Sequence, residues 1–370
     1  MASVFGEERD ELRRVLRRFF TDRSDEAQVR RLAETEDGYD KAVWEQLTGQ
    51  LGLAGLAVPE EYGGSGFSQV EMAIVAEEAG RALLGGPWLS SAVLAANLLL
   101  ECGGDTAREL LPEVCAGGVL ATAAFAETSR GWDPGTVRLA AERRDGGWRL
   151  SGEKFYVLDG GIADVLLVTA ATPAGVSVFA VRKGAAGLAV SPMRTMDHTR
   201  RLSGIVLADT PAELLGEEGA ALPALERTLD LVSLALAAED VGGALRLVEM
   251  SAEYARTREQ FGKPIGGFQA IKQKLADMLM SAELAKAAVY RVAELAGTDP
   301  AAAAAEASMA KALCSDTFVR IAYDTIQVHG GIGFTWEHPA HLYFRRAKSN
   351  AALFGTPDEH RELVARRMGI

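Results

Sequence analysis

The chain has 370 residues, enough for two or three domains with sizeable hydrophobic cores. It is 48% hydrophobic and 24% charged, and its formal net charge of -12 argues against a general binder of nucleic acid or other polyanions. The three cysteines, Cys102, Cys115 and Cys314, show no CxxC or Cys/His spacing, so we expect reduced thiols and no metal site.

No targeting segment or membrane span is expected. The first residues, MASVFGEERDELRRVL, contain no apolar core of the signal-peptide type. The longest apolar candidate, residues 91–100, is too short to cross a bilayer and suits a buried helix. We therefore expect a cytoplasmic protein.

The first third of the chain has helical periodicity. Apolar residues of the segment 8–20, among them Leu12, Leu16 and Phe20, fall on one face. Further helices are expected at 41–51, 69–84, 90–102 and 108–116. The glycine-rich stretch 52–68 lacks a GxGxxG or P-loop pattern, so we expect it to be a structural loop.

The pattern changes near Leu120 to short β-branched and aromatic runs. The clearest predicted strands are 148–160, 166–171, 176–182 and 204–209, and Asp145-Gly146-Gly147 has the composition of a hairpin turn. Strands of this length and spacing predict a small barrel or sandwich.

The last part of the chain is helical again. Helices are predicted at 222–257, 271–296, 300–329, 339–352 and 358–368, and short connections between long helices favour an antiparallel bundle. The expected fold is α+β: an all-α domain at 1–119, a β-domain at 120–212 and a four-helix bundle domain at 213–370.

A polar turn interrupts the bundle pattern between two helices. Arg256, Arg258 and Gln260 precede Phe261-Gly262-Lys263-Pro264, and a second helix follows. Positive charge beside the N-terminus of a helix makes an anion site. Spacing alone, however, favours a plain helical hairpin with a solvated basic turn.

A resemblance to a known family favours the anion site over the plain helical hairpin. The segment Arg-x-Gln-Phe-Gly-Lys-Pro, followed by Phe-Gln-Ala-Ile and Leu-Ala-Asp-Met, resembles the acyl-CoA dehydrogenase family. So do AVPEEYGGSG, EEAGRALLGGP and QVHGGIGFTWEHP, and the order helix, β, bundle is also the family's order. The resemblance covers nearly the whole chain.

The resemblance implies FAD as cofactor, held mostly by a neighbouring subunit. Arg258 and Gln260 would bind its pyrophosphate, and Phe261, Phe268 and Gln269 would contact it near the turn. A second segment would reach the adenine end: Gln327, Val328, His329, Gly330 and Gly331. Two glycines after a helix are also a common helix C-cap, which this segment includes in either case. His338, His341 and His360 are expected to be surface or capping residues.

The segments that hold the flavin ring in the family depart from its pattern. Ala126–Asp133 replaces Thr-Glu-Pro-Gly-Ala-Gly-Ser-Asp, so that Ala126 lacks a hydroxyl and Trp132 stands in place of serine. In GEKFYVLDG, Tyr156 keeps an aromatic ring but Leu158 replaces a hydroxyl residue. These changes predict a damaged ring pocket.

The family's catalytic base is absent from both of its usual positions. Proton abstraction beside a thioester carbonyl needs a carboxylate in an apolar pocket. Phe354 stands where the usual glutamate belongs, and Val232-Ser233 stands at the alternative Glu-Arg position. The nearby carboxylates are expected to face solvent or neighbouring helices: Glu239, Asp240, Asp358 and Glu359.

The leading hypothesis is a subunit of a paired acyl-CoA dehydrogenase. This chain would give trans contacts to FAD, while a second family subunit would supply the base in a dimer of dimers that reduces an electron-transfer acceptor. One alternative is a homo-oligomeric dehydrogenase or oxidase with a relocated base. The other is a non-catalytic acyl-CoA-binding or scaffold protein.

Overall fold

The computed structural model describes residues 6–127 and 132–370, whose backbone forms two compact units. One unit contains Met1–Arg30, Gln69–Leu84 and Ser233–Ile370. The other contains Arg31–Ser68 and Gly85–Val232. The helical, β and helical succession predicted from the sequence is confirmed, and the fold is α+β.

The helices of the first part are short to medium in length. They are α1 (Gly6–Arg23), α2 (Glu26–Ala33), α3 (Lys41–Gly49), α4 (Gln69–Arg81), α5 (Ala96–Cys102) and α6 (Gly104–Cys115). The predicted single helix at 90–102 is instead a π-helical segment, Trp88–Ala95, that runs into α5. All residues from Trp88 to Ala95 are buried, so the sequence has no polar face to reveal the wider turns.

The strands form one seven-stranded sheet. They are β1 (Ala121–Ala124), β2 (Ala140–Arg144), β3 (Gly147–Leu158), β4 (Val165–Thr172), β5 (Gly175–Arg182), β6 (Leu188–Pro192) and β7 (Leu202–Leu215). The path β4-β2-β3-β7-β5 returns to β4, because β5 pairs with both β7 and β4. The sheet therefore closes into a small barrel, one of the two architectures, barrel or sandwich, that strand spacing predicted.

Side chains from the inward faces of the strands fill the barrel. Leu150, Val168 and Phe179 are fully buried there, and Trp148 packs edge-on against Phe179 with ring centroids 5.1 Å apart. The predicted hairpin turn is confirmed between Arg144 and Gly147, where Asp145 and Gly146 both have positive φ. Two residues with positive φ match the twist of the flanking strands.

Long helices dominate the remainder of the chain. They are α7 (Leu222–Thr257), α8 (Gln269–Thr298), α9 (Pro300–His329), α10 (Ala340–Ala352) and α11 (Pro357–Met368). A small ribbon, β8 (Glu259–Gln260) and β9 (Lys263–Pro264), lies between α7 and α8. Helix α9 begins and ends as predicted, because Asp299 accepts the Ala302 N–H and Pro300 occupies the first turn.

Helices α4 and α7 approach closely at two glycines. A Cβ on Gly80 would collide with the Glu239 carbonyl, and a Cβ on Gly242 would collide with the Glu77 carbonyl. Both positions therefore need glycine because the backbones touch.

Buried charges join α1 and α8 to α4. Arg13 donates to Glu77 at 2.6 Å and to Glu78 at 3.0 Å, and Lys286 lies 3.0 Å from Glu77. Tyr290 donates its hydroxyl to Glu77 at 2.6 Å. This network ties the N-terminal helix to the long helices of its unit.

Candidate functional site

The polar turn after α7 is an exposed β-ribbon. Gln260 pairs with Lys263 across a two-residue turn in which Phe261 and Gly262 have φ of 54° and 78°. The Ile265 N–H donates to the Arg258 carbonyl at 2.8 Å and closes the base of the ribbon. The turn is thus a defined structure and not an irregular loop.

The side chains of this ribbon point into solvent. Phe261 is 92% exposed, and Arg258 and Gln260 are also exposed. Among the described residues, Arg258 forms no salt bridge. An unpaired guanidinium at the end of a helix can bind an anion in a bidentate manner.

Phe268 and Gln269 continue this surface at the start of α8. Phe268 packs edge-on against Phe261 with ring centroids 6.1 Å apart, and the Lys263 ammonium lies 4.3 Å from the Phe268 ring. The structure therefore brings the Phe261 and Phe268 rings together beside Lys263.

The second predicted segment ends α9. Gln327, Gly330 and Gly331 are exposed, and Gly330 has φ of 63°. No atom lies within 4 Å of a Cβ placed on Gly330 or Gly331, so a ligand has open access to the backbone. Val328 and His329 are buried, so their side chains do not face this opening.

The two flavin-ring segments meet in the β-barrel unit. The Phe155 N–H donates to the Ala126 carbonyl at 2.7 Å, while Ala126 and Leu158 are fully buried without a hydroxyl. Trp132 packs against Tyr156 with ring centroids 6.4 Å apart. Residues 128–131 of the first segment lie outside the described part of the chain.

A buried ion pair beneath these segments was not predicted from the sequence. The ammonium group of Lys154 donates to the Phe125 carbonyl, to Thr169 and to Glu127. Glu127 also accepts the Arg138 and Leu139 N–H groups. Burial lowers the pKa of Lys154 to about 8, against the opposing effect of Glu127. The sequence signals available for this ion pair were a lysine two residues before an aromatic residue and a glutamate that follows a strand.

Phe354 occupies the predicted base position as a buried aromatic residue. It is 4% exposed and has φ of 58°, and the following Gly355 has φ of 112°. His360 Nε2 donates to the Phe354 carbonyl at 3.2 Å. The prediction that His360 is a surface or capping residue is wrong, because its imidazole is buried under this turn. Val232, at the alternative base position, is fully buried.

The nearby carboxylates are all engaged. Glu239 accepts from Arg346 at 2.6 Å, and Asp240 accepts from Ser315 at 2.9 Å and from Asn350 at 2.8 Å. Burial raises the pKa of Asp240 to about 6. In α11, Asp358 is exposed beside Arg361, and Glu359 forms a capping box with Thr356. No described carboxylate of this set is both unpaired and in an apolar pocket.

Family models match almost the whole chain. The acyl-CoA dehydrogenase N-terminal domain matches residues 6–118, the middle domain 122–209 and the C-terminal domain 222–369. The chain belongs to the acyl-CoA dehydrogenase family. FAD is the cofactor of this family of oxidoreductases.

Individual relatives cover the chain nearly end to end. Acyl-CoA dehydrogenase IpdE2 of Mycobacterium tuberculosis is 33% identical over 353 residues, which are 95% of each chain. A variant of the Tcur3481–Tcur3483 steroid acyl-CoA dehydrogenase superposes with a TM-score of 0.90 at 32% identity, covering 98% of each chain. The ChsE4–ChsE5 complex from M. tuberculosis contains a chain with a TM-score of 0.89 at 29% identity, covering 100% of this chain and 99% of that one.

The segments differ in how well they fit FAD. The open backbone at Gly330 and Gly331 and the free guanidinium of Arg258 suit a dinucleotide. The ring segments, with Ala126, Leu158 and Trp132, do not offer the hydroxyl groups of the family pattern. Within the described residues there is no cluster of metal-ligating side chains and no helix long and apolar enough to cross a membrane.

Proposed function

We propose that this chain is a subunit of a paired acyl-CoA dehydrogenase that acts on a CoA thioester. The observation that carries the proposal is that Phe354, which the family resemblance assigns to the position of the glutamate, is a buried aromatic residue. Without a carboxylate there, the chain cannot abstract the proton next to the thioester carbonyl by the family's usual route.

The hydrogen bonds and ion pairs of the nearby described carboxylates support this assignment. Glu239 and Asp240 are buried in hydrogen-bonded pairs, and Glu359 caps its own helix. A general base must reach the proton that it removes, and these groups are held by protein partners. The base would therefore come from a second subunit of the same family.

The exposed ribbon that follows α7 supports the second part of the proposal, the contacts to FAD held by a partner. Arg258 and Gln260 would bind the pyrophosphate of FAD held mainly by the partner, and Phe261, Phe268 and Gln269 would pack beside it. Gln327 and the backbone of Val328, His329, Gly330 and Gly331 would contact the adenine end. When bound, FAD would supply the hydride acceptor, and the chain's own residues would hold it in place.

Two solved relatives whose names join two components support the partnership and suggest bulky substrates. The Tcur3481–Tcur3483 steroid enzyme and the ChsE4–ChsE5 complex both name two components. A sterol side-chain, long or branched acyl-CoA fits such an assembly, and an electron-transfer protein would reoxidise it. A dimer of dimers of two different subunits is the proposed assembly.

The absorbance spectrum of the purified chain tests the proposal. We expect colourless protein alone and a yellow complex after co-expression with a second family member. Yellow protein that is bleached by acyl-CoA without any partner would instead support a self-sufficient homo-oligomer with a relocated base. A complex that contains no FAD would support the non-catalytic scaffold.

Substitution of the ribbon arginine tests the trans contact. In the complex, Arg258→Ala should release most of the flavin, because charge-assisted bonds to phosphate are lost. Arg256→Ala is a matched control, since Arg256 is also exposed but lies two residues earlier, in the last turn of α7. Unchanged flavin content in Arg258→Ala would refute the assigned role.

A further inference from the structure

Three aromatic rings in contact, a stack in which one pair is tilted, connect the two proposed cofactor-binding segments. Tyr254 lies in the last turn of α7, His329 is the last residue of α9, and His338 precedes α10. The Tyr254 and His329 rings stack with centroids 4.4 Å apart at 27°, and the His329 and His338 rings lie 4.4 Å apart at 52°. The middle ring therefore contacts both neighbours.

Hydrogen bonds tie the two histidine rings to nearby backbone, and a backbone hydrogen bond connects Tyr254 to the ribbon. The Tyr254 carbonyl accepts the Arg258 N–H at 2.8 Å, so the first ring is one helical turn from the ribbon arginine. His329 Nδ1 lies 2.8 Å from the Thr325 carbonyl and therefore carries its proton there. His338 Nδ1 accepts the Ala340 N–H at 3.2 Å.

The middle ring is not itself a ligand contact. His329 is 4% exposed, and the opening above Gly330 and Gly331 exposes backbone and not this imidazole. A buried ring packed between two others has little freedom to move.

Burial keeps the two histidine rings of the stack neutral near pH 7 by lowering the pKa of each. Burial lowers the pKa of His329, and burial together with the neighbouring His329 lowers the pKa of His338 to about 4. The charged and titratable groups that face His338 from α2 and α10 are Glu26, Arg30 and His341. Neutral rings at 4.4 Å stack without the repulsion that two imidazolium ions would have.

We propose that Tyr254, His329 and His338 are positioning residues that hold the Arg258 ribbon and the Gln327–Gly331 turn in one fixed relation. This inference rests on the proposed function. A dinucleotide that contacts both segments then binds a preorganised surface, and less ordering is needed at binding. The stack thus acts through the two segments and not by touching the cofactor.

Hydrogen–deuterium exchange of the full chain tests the mechanical part of the inference without any cofactor. His329→Ala should speed exchange in both residues 258–265 and residues 327–333. His329→Phe keeps a ring of similar size and should preserve the slow exchange. His198→Ala, at an exposed histidine of the other unit, serves as control. Faster exchange confined to residues 327–333 would overturn the coupling.

Flavin release from the complex tests the functional part. We expect FAD to dissociate at least about tenfold faster from His329→Ala and His338→Ala complexes, with rescue by His329→Phe. A wild-type complex without FAD would overturn the proposed function and this inference together. A wild-type complex that holds FAD no better than His329→Ala would overturn the positioning inference alone.

Discussion

Three aromatic residues of the site segments have left-handed backbone. Tyr156, Phe261 and Phe354 have φ of 55°, 54° and 58°. Positive φ is a genuine outlier for a bulky residue, and each such residue costs about 1–3 kcal/mol unless the surrounding structure enforces it. Strain therefore lies in the three segments that the family resemblance assigns to the flavin ring, the pyrophosphate and the base.

A substitution at Phe261 can separate the effect of backbone strain on stability from the effect of the aromatic ring on flavin retention. Phe261→Gly should leave the melting temperature of the isolated chain unchanged or slightly raised, because glycine adopts positive φ without a Cβ clash. The same substitution should weaken flavin retention in the complex, because the ring that packs on Phe268 is lost. Calorimetry and flavin absorbance measure the two effects. A large fall in melting temperature would show that the exposed ring stabilises the chain.

The buried Glu239–Arg346 pair is expected to be critical for stability. Arg346 is 1% exposed, so Glu239→Gln leaves a buried guanidinium without its carboxylate and should cost about 3–5 kcal/mol in urea unfolding. Asp358→Asn, at the exposed pair with Arg361, is the matched control and should change stability by less than about 1 kcal/mol. Equal effects of the two substitutions would contradict this account.

Elements with local signals could be predicted from the sequence. Caps such as Asp299-Pro300 and Thr356 with Glu359 mark helix starts, and alternation of apolar residues marks the strands. The π-helical Trp88–Ala95 segment has no such signal, because its residues are buried on every side. The closure of the barrel through β5 depends on long-range pairing, which local patterns do not specify.

The crossing of α4 and α7 depends on two glycines that the sequence did not identify. Gly242→Ala should force the helices apart, since its Cβ would collide with the Glu77 carbonyl. We expect a loss of more than about 3 kcal/mol or insoluble protein, because close-packed interiors do not absorb such a shift.

A helical glycine elsewhere provides the control for this substitution. No atom lies within 4 Å of a Cβ placed on Gly297 in α8, so Gly297→Ala should be neutral or stabilising by up to about 1 kcal/mol. Guanidinium unfolding measures both variants. A Gly242→Ala protein as stable as wild type would contradict the contact between the two helices.

At the scale of the whole molecule, acid should destabilise the chain through its histidines. The pKa of His360 is lowered from 6.5 to about 4 by burial, so the unfolded chain binds this proton first as the pH falls. The contribution of neutral His360 to the free energy of unfolding is present above pH 6.5 and is lost toward pH 4. Asp240 acts in the opposite direction, since its pKa rises from 3.8 to about 6 and the folded chain binds its proton first.

Two substitutions with opposite effects check this balance. His360→Gln should flatten the fall of the melting temperature between about pH 7 and pH 4.5, and Asp240→Asn should steepen it. Thermal unfolding across this range gives both slopes. A steeper fall in His360→Gln would contradict the assigned sign.

Much of the site segments could be located from the sequence, but their environments could not. The motif around Arg258 and the segment Gln327–Gly331 indicated where to look, and the structure adds that Val328 and His329 are buried while Gly330 and Gly331 are open. The burial of His360 and the Lys154–Glu127 pair depend on packing between distant segments. The division into domains at 1–119, 120–212 and 213–370 stays a prediction.

Because the ribbon is exposed, assembly with a partner should change how readily a protease cleaves it. Trypsin cleaves after arginine. Arg256, in the last turn of α7, and Arg258, just before β8, are exposed residues, whereas Pro264 blocks cleavage after Lys263. A chain that inserts this ribbon into a partner hides the bonds after both arginines. Protection from nicking near residue 258 would therefore report complex formation in a crude extract, before any cofactor or substrate has been identified.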